Sequence, residues 1–232
     1  MQVKAGSVRG AVVVAVALAT TLGGCAKSGD GDGKSASSAS PTAQSEGAGG
    51  AATASGGSIG AAGSACALPV RFDVAEHWKA KAIDAEAELS KASKGSDGDL
   101  TGSLADAFLR QGPVTAACEI DAKPAGHIGF LRVWTGKAGK ADAGSVLREF
   151  VAAEGNVSKE RYHSFRTAGG LSGVEVEYLF TSKLLGETKK ESALAVGTPG
   201  GPVVLHLGGM DTEEHEAMRP AYELAKRTLE LG

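Results

Sequence analysis

Val174-Glu175-Val176-Glu177-Tyr178-Leu179-Phe180 sets Val174, Val176, Tyr178 and Phe180 in alternation with Glu175 and Glu177. A period of two belongs to a β-strand with one face buried and the other in water. Residues 162–167 form a strand candidate just before it, and Gly170-Leu171-Ser172-Gly173 between them reads as a hairpin turn. Residues 191–196 follow through Leu185-Gly186-Glu187, and residues 203–207 through Gly197-Thr198-Pro199-Gly200-Gly201. Consecutive strands joined by short glycine-containing turns form an antiparallel meander.

Working outward, Asp142 is an N-cap for a helix with Val146, Leu147, Phe150 and Val151 on one face, and Gly155 stops it. Residues 114–120 and 128–135 pair as strands across the loop 121–126. The second is apolar on both faces, Ile128, Phe130 and Trp134 on one and Leu131 and Val133 on the other. Such a strand is central and covered on both sides. Leu104, Ala107 and Phe108 at helical spacing, with Gly112 and Pro113 beyond, predict a helix over 101–111. Residues 84–100 are polar and read as a weak helix or a long loop. Residues 70–73 and 78–83 read as a strand hairpin about the turn Ala75-Glu76-His77. At the other end Asp211, with Glu214 three residues on, caps a helix whose stripe is Met218, Ala221, Tyr222, Ala225 and Leu229. Pro220 inside that stripe is expected to kink or split the helix near Met218. An antiparallel sheet of about six to seven strands covered by amphipathic helices makes an α+β sandwich.

The N-terminus is a different material. Lys4 and Arg9 precede an apolar run over 11–22, shorter than the ~20 residues a transmembrane helix needs. Residues 1–24 therefore read as a signal peptide. Leu22-Gly23-Gly24-Cys25, which closes it, resembles the bacterial lipoprotein lipobox. The resemblance implies that Cys25 becomes the first residue and carries a diacylglyceryl group with palmitate-type acyl chains. That lipid would hold the rest of the chain at the outer face of the cytoplasmic membrane. Residues 25–65 are mostly Ala, Gly, Ser and Thr, with Ile59 as the only large aliphatic. Such a segment buries too little apolar surface to offset its ordering entropy and reads as a disordered linker. Asp30-Gly31-Asp32-Gly33 lacks the third ligand and the bidentate Glu of a calcium loop. The globular domain is then residues 66–232, the size of one domain.

The full chain carries a formal charge of -3, and loss of Lys4 and Arg9 leaves 22 basic against 27 acidic residues, or -5. A mildly acidic chain with no Lys/Arg stripe excludes nucleic acid as a partner. With Cys25 assigned to lipid, Cys66 and Cys118 remain, in a compartment where disulfides persist. Pairing them closes a loop of about 53 residues, worth roughly 4 kcal/mol in the chain-entropy account. The alternative is two buried free thiols; metal binding is disfavoured because neither Cys lies in a C-x-x-C or C-x-x-H spacing.

The order of hairpin, helix, strands, helix, meander and final long helix over about residues 66–232, with its Phe72 to Trp78 opening, resembles the PsbP-like fold, known also from small actinobacterial lipoproteins. Gly112-Pro113-Val114-Thr115 and Cys118-Glu119-Ile120-Asp121 resemble uncharacterised actinomycete lipoproteins. The resemblance implies partner binding or assembly rather than chemistry, with fold alone as its warrant.

Catalytic patterns are missing from the sequence. His77, His127, His163, His206 and His215 include no pair at ligand spacing on a helix, and Glu213-Glu214-His215-Glu216 lacks the second His of a zincin. His206, between Leu205 and Leu207, reads as a polar residue on the less buried sheet face rather than a ligand or base. Gly170-Leu171-Ser172-Gly173 is one residue short of a nucleophile elbow and precedes a strand. Glu175 and Glu177 read as the solvated face of a strand, and Asn156-Val157-Ser158 as a sequon without use in a bacterial lipoprotein. Trp78 and Trp134 read as core rather than as the lining of an exposed groove. The expectation is a non-enzymatic, membrane-anchored extracytoplasmic lipoprotein, without metal or cofactor, that docks another envelope protein through a sheet face or residues 84–100. The alternative is a carrier with a lipid or small ligand beneath the 146–151 helix.

Overall fold

The alternating stretch lies in strand β8, Ser172–Ser182, with Val176 and Tyr178 buried and Glu175 and Glu177 on the opposite side. The computed structural model describes residues 53–93 and 98–232, which fall within one compact unit, Glu46–Gly232. β8 pairs with β7, Val157–Arg166, and β9, Glu187–Thr198; β9 pairs in turn with β10, Gly201–Gly209. The meander expected from the short turns is therefore present. Beyond β10 the sheet continues through β6, Gly129–Gly136, and β5, Val114–Asp121, to the edge strand β3, Lys79–Ala82. β4, Arg110–Gln111, adds a short pairing to β5 and completes eight strands.

Helices and a second sheet cover the two faces. On one lies α3, Ala143–Glu154, capped by the Asp142 carboxylate, which accepts the Ser145 N–H at 2.7 Å. Its Val146, Leu147, Phe150 and Val151 pack with Trp134, Val176, Ala193, Ala195 and Val204. Alanines at 193 and 195 leave the volume that the larger helix side chains fill. On the other face lie α4, Thr212–Thr228, and a three-stranded sheet of β1, Ser55–Ile59, β2, Val70–Ala75, and β11, Glu230–Leu231. There Phe72, Met218, Tyr222 and Leu229 meet Leu131, Val133, Leu194, Leu205 and Leu207. β6, β9 and β10 are covered on both sides, which is why they read as continuous apolar runs.

Several sequence expectations need correction. The linker does not extend to residue 65: β1 pairs antiparallel with β2, and Ile59 is buried in the core at 6% exposure. After it Gly60, at φ 112°, is the one residue type that fits, since a Cβ would lie 2.0 Å from the Val70 carbonyl oxygen. The loop that follows is tied by Ser64, whose Oγ accepts the Gly60 N–H at 3.1 Å and donates to the carbonyls of Ala61 and Cys66. Residues 70–73 and 78–83 are not a hairpin, because β2 joins the small sheet and β3 the large one. Of the two forms expected for residues 84–100, the helix is the one found among the described residues: α1, Ala85–Ala92, capped by Asp84, and the start of α2, Gly98–Leu109. α4 runs unbroken through Pro220; packing of Met218 and Tyr222 on either side of the proline holds it against the sheet. Asp211 caps α4 by accepting the Glu214 N–H at 2.9 Å, whereas the Glu214 carboxylate reaches away to the Ile128 N–H at 3.2 Å. Cys66 and Cys118 form a disulfide with Cα atoms 6.0 Å apart, joining the loop after β1 to the centre of β5.

Candidate functional site

The α3 side of the large sheet is apolar except at one end. His206 stands opposite Ala193 across β10 and β9, and Glu191 stands opposite Tyr178 across β9 and β8. Residues 191 and 193 share a face, so Glu191 is the diagonal neighbour of His206, and the small Ala193 leaves the path open. His206 Nε2 lies 2.9 Å from Glu191 Oε2 and 3.3 Å from the Tyr178 hydroxyl. The Tyr178 hydroxyl donates to Glu154 Oε2, from the last turn of α3, at 2.6 Å. Lys189 Nζ lies 2.7 Å from Glu191 Oε1 and donates to the Gly209 carbonyl at 2.7 Å. Phe130 and Phe150 close over the imidazole edge-on, with centroids 6.4 and 5.5 Å away. The Arg132–Glu119 ion pair continues the polar row across β6 and β5.

Charges in this cluster hold one another. Burial opposes ionisation of Glu191, but the His206 charge and hydrogen bond and the Lys189 ammonium outweigh it and draw its pKa below the ordinary value. Burial likewise opposes the His206 imidazolium, and Glu191 outweighs it, so the His206 pKa is raised. Burial raises the Glu154 pKa despite the nearby His206. Tyr178 is pushed well up by burial and then by Glu154 and Glu191, which keeps its hydroxyl a donor. One oxygen from each of Glu154 and Glu191 and a nitrogen of His206 lie within 4.8 Å of one another, a donor set that suits a borderline divalent ion. Both Glu191 oxygens are engaged, however, by Lys189 and by His206. An ion would have to displace the Lys189 ammonium and break the His206–Glu191 hydrogen bond, so the residues are arranged to serve one another rather than a metal. The arrangement locks β8, β9, β10 and α3 together at one end.

The histidines divide as follows. His206, at 7% exposure, does not sit on a less buried face; it lies inside this cluster because α3 covers the sheet to its edge. His215 on α4 is buried on the opposite face, with Nε2 2.9 Å from Ser192 Oγ. Its burial lowers its pKa. His77 is exposed at the turn, His163 is exposed on β7, and His127 Nδ1 lies 3.4 Å from Glu214 Oε2. Glu175 and Glu177 are not a free carboxylate pair: Glu175 is 3.0 Å from Lys226, and Glu177 meets Arg161 at 2.9 Å and Arg219 at 3.1 Å. The Gly170 segment is a turn, with the Thr167 N–H donating to the Leu171 carbonyl. Trp134 is core, 5.5 Å from Phe150, and Trp78 is half-buried against the opposite cluster. Sequence reasoning missed Glu154, Tyr178, Lys189 and Glu191 as partners of His206. The Gly197 to Gly201 turn carried the signal, since it sets His206 and Glu191 on one face.

Beneath α3 the space is filled, with Val146, Leu147, Phe150 and Val151 all at most 5% exposed. One accessible concavity among the described residues lies elsewhere. A groove of about 860 Å³ runs between α1 and the start of β5, lined by Ile83, Leu89, Pro113, Val114 and Ala116 and edged by Arg110 and Lys137. Beside it, the apolar stripe of α2 faces outward: Leu104 is 51% and Phe108 68% exposed, and Ala107 is exposed too.

Cys25, the expected signal peptide over residues 1–24 and Asp30 to Gly33 lie outside the described residues. Among the described residues no helix is long and apolar enough to cross a membrane. No curated protein matches the chain. Among solved structures it is similar to cyanobacterial PsbP (CyanoP) from Synechocystis sp. PCC 6803, at 11% identity and a TM-score of 0.46, over 79% of this chain and 96% of that one. Residues 36–229 match the pattern of a family described as "Uncharacterised lipoprotein", and the chain belongs to that family of membrane-anchored proteins.

Proposed function

We propose that this lipoprotein is a non-enzymatic docking module, held by lipid on Cys25 at the outer face of the cytoplasmic membrane. Its α1–α2 hairpin takes up an apolar segment of another envelope protein. The observation that supports the reading is the outward stripe of Leu104, Ala107 and Phe108 beside the groove of Ile83 and Leu89. A helix in a soluble domain turns its apolar stripe to a core; this one has its stripe in solvent, where a partner would cover it. The filled space beneath α3 argues against a carrier with its ligand there. The open groove keeps one form of the carrier reading in play, in which an acyl chain lies along Ile83 and Leu89.

Crosslinking on intact membranes, followed by purification of the lipidated protein, tests both. A specific protein adduct is expected from the parent chain and not from Phe108→Asp, whose fold is unaffected because position 108 is exposed. Recovery of no protein, together with co-purified lipid, favours the carrier. Cys25→Ser is expected to release the protein from the membrane fraction, and unchanged sedimentation with membranes would overturn the anchor.

A further inference from the structure

β8 and β9 outrun their neighbours. β7 pairs along β8 to Phe180, opposite Val157, and the Thr181 N–H still donates to the Asn156 carbonyl at 3.0 Å, whereas β8 and β9 stay paired to Ser182 and Glu187. The last stretch is a two-stranded ribbon, tipped by Lys183-Leu184-Leu185-Gly186. The tip is held from within: the Gly186 N–H donates to the Ser182 carbonyl at 2.8 Å, the Leu185 N–H to Ser182 Oγ at 3.2 Å, and Gly186 takes φ 70°. Both leucines point out, at 93% and 68% exposure. Tight turns are ordinarily built from Gly, Asn, Asp, Ser and Pro, and turn geometry does not call for two adjacent leucines.

Ile128 and Met210, 54% and 58% exposed, project from the same end of the sheet, where the Met210 N–H donates to the Ile128 carbonyl at 3.0 Å. Four of the seven large apolar side chains exposed among the described residues thus gather at one end. The chain also enters the domain there. Ala54 accepts the Glu76 N–H at 2.9 Å, and three residues on, Lys79 pairs with Asp121 and Asp121 with Phe130, at the start of β6. Upstream of Thr53 only 27 residues separate the domain from Cys25, a reach of at most about 90 Å.

We propose that this end of the domain is a second membrane contact, with Leu184 and Leu185 inserting into the lipid interface below the point where the tether enters. Charge is not the driving force. Lys79, Lys123, Lys183, Lys189 and Lys190 at this end stand against Glu76, Asp121, Glu187, Asp211, Glu213, Glu214 and Glu216, which leaves no positive excess, so contact comes from apolar burial and needs no anionic lipid. The tether holds the tip near the bilayer at high effective concentration, so a modest gain suffices.

The test uses the full lipidated chain in vesicles of phosphatidylcholine alone, with Leu184→Trp set against Phe108→Trp at the opposite end and the parent as the Trp78 and Trp134 background. Flotation with the vesicles is scored first, then quenching by brominated lipid. The expected result is a blue shift and loss of the added emission for Leu184→Trp, unchanged by salt, and neither for Phe108→Trp. A chain that floats but shows no loss at 184, or equal loss at both positions, overturns the insertion and leaves the anchor standing. A chain that does not float overturns both.

Discussion

Both carboxylate oxygens of Glu191 are taken, Oε1 by Lys189 and Oε2 by His206. Glu191 is 2% exposed, so removing its charge takes from Lys189 and His206 the carboxylate that both of them contact. Glu191→Gln is expected to cost about 3 kcal/mol, the lower range for breaking a buried pair, read by urea unfolding. The pH dependence carries a sign. The His206 pKa is raised above 6.5 by Glu191, so its contribution is whole below that value and is lost as pH climbs through the folded pKa. The Glu191 pKa is lowered from 4.5, so its contribution holds above that value and is lost as pH falls. Glu154, raised from 4.5, also costs stability as it ionises with rising pH, whereas His215, lowered from 6.5, is already neutral on the alkaline side. As pH rises above 6.5 the urea midpoint of the parent should fall, and in His206→Gln it should fall less. An equal fall in both would remove His206 from the account.

At the scale of elements, the disulfide reaches across layers. Cys118 lies on the central face of β5 and Cys66 in the loop that carries β1 and β2, so the bond fastens the small sheet to the large one over 52 residues of sequence. The double substitution Cys66→Ala and Cys118→Ala is expected to lower stability by about 4 kcal/mol. The same loss should follow reduction of the parent, measured as thermal unfolding with and without reductant. The elements that show in the sequence are those whose burial is periodic. β8 alternates buried Val176 and Tyr178 with the charged Glu175 and Glu177, β6 declares two buried faces, and Asp142 and Asp211 mark helix starts at the residues they cap. β1 is hidden because four of its five residues are Ser or Gly and exposed, leaving Ile59 as its only apolar mark. β11 is two residues long, and its stabilisation comes from pairing with β2 rather than from any local pattern. The His206 cluster is hidden for another reason: its bonds run between strands and to the end of α3, so they appear only once register and layer order are set.

The whole domain has two unlike ends, set by the direction of β6. Ile128 precedes its start, beside Met210 and the Leu184–Leu185 tip, and Gly136 at its finish lines the groove under α1. An eight-residue strand separates them by about 25 Å. If the tip lies in lipid, the α1–α2 hairpin is carried outward from the bilayer, where the apolar stripe of Leu104 and Phe108 faces other envelope proteins. Residues that far apart with no shared partner act independently. In membranes bearing both a photoreactive lipid and a protein crosslinker, Phe108→Asp is expected to lose the protein adduct and keep the lipid adduct at the tip. Leu184→Asp with Leu185→Asp should do the reverse. A variant that loses both adducts while remaining folded would mean that docking and lipid contact share one surface, and the division of the molecule into a membrane end and a partner end would fall.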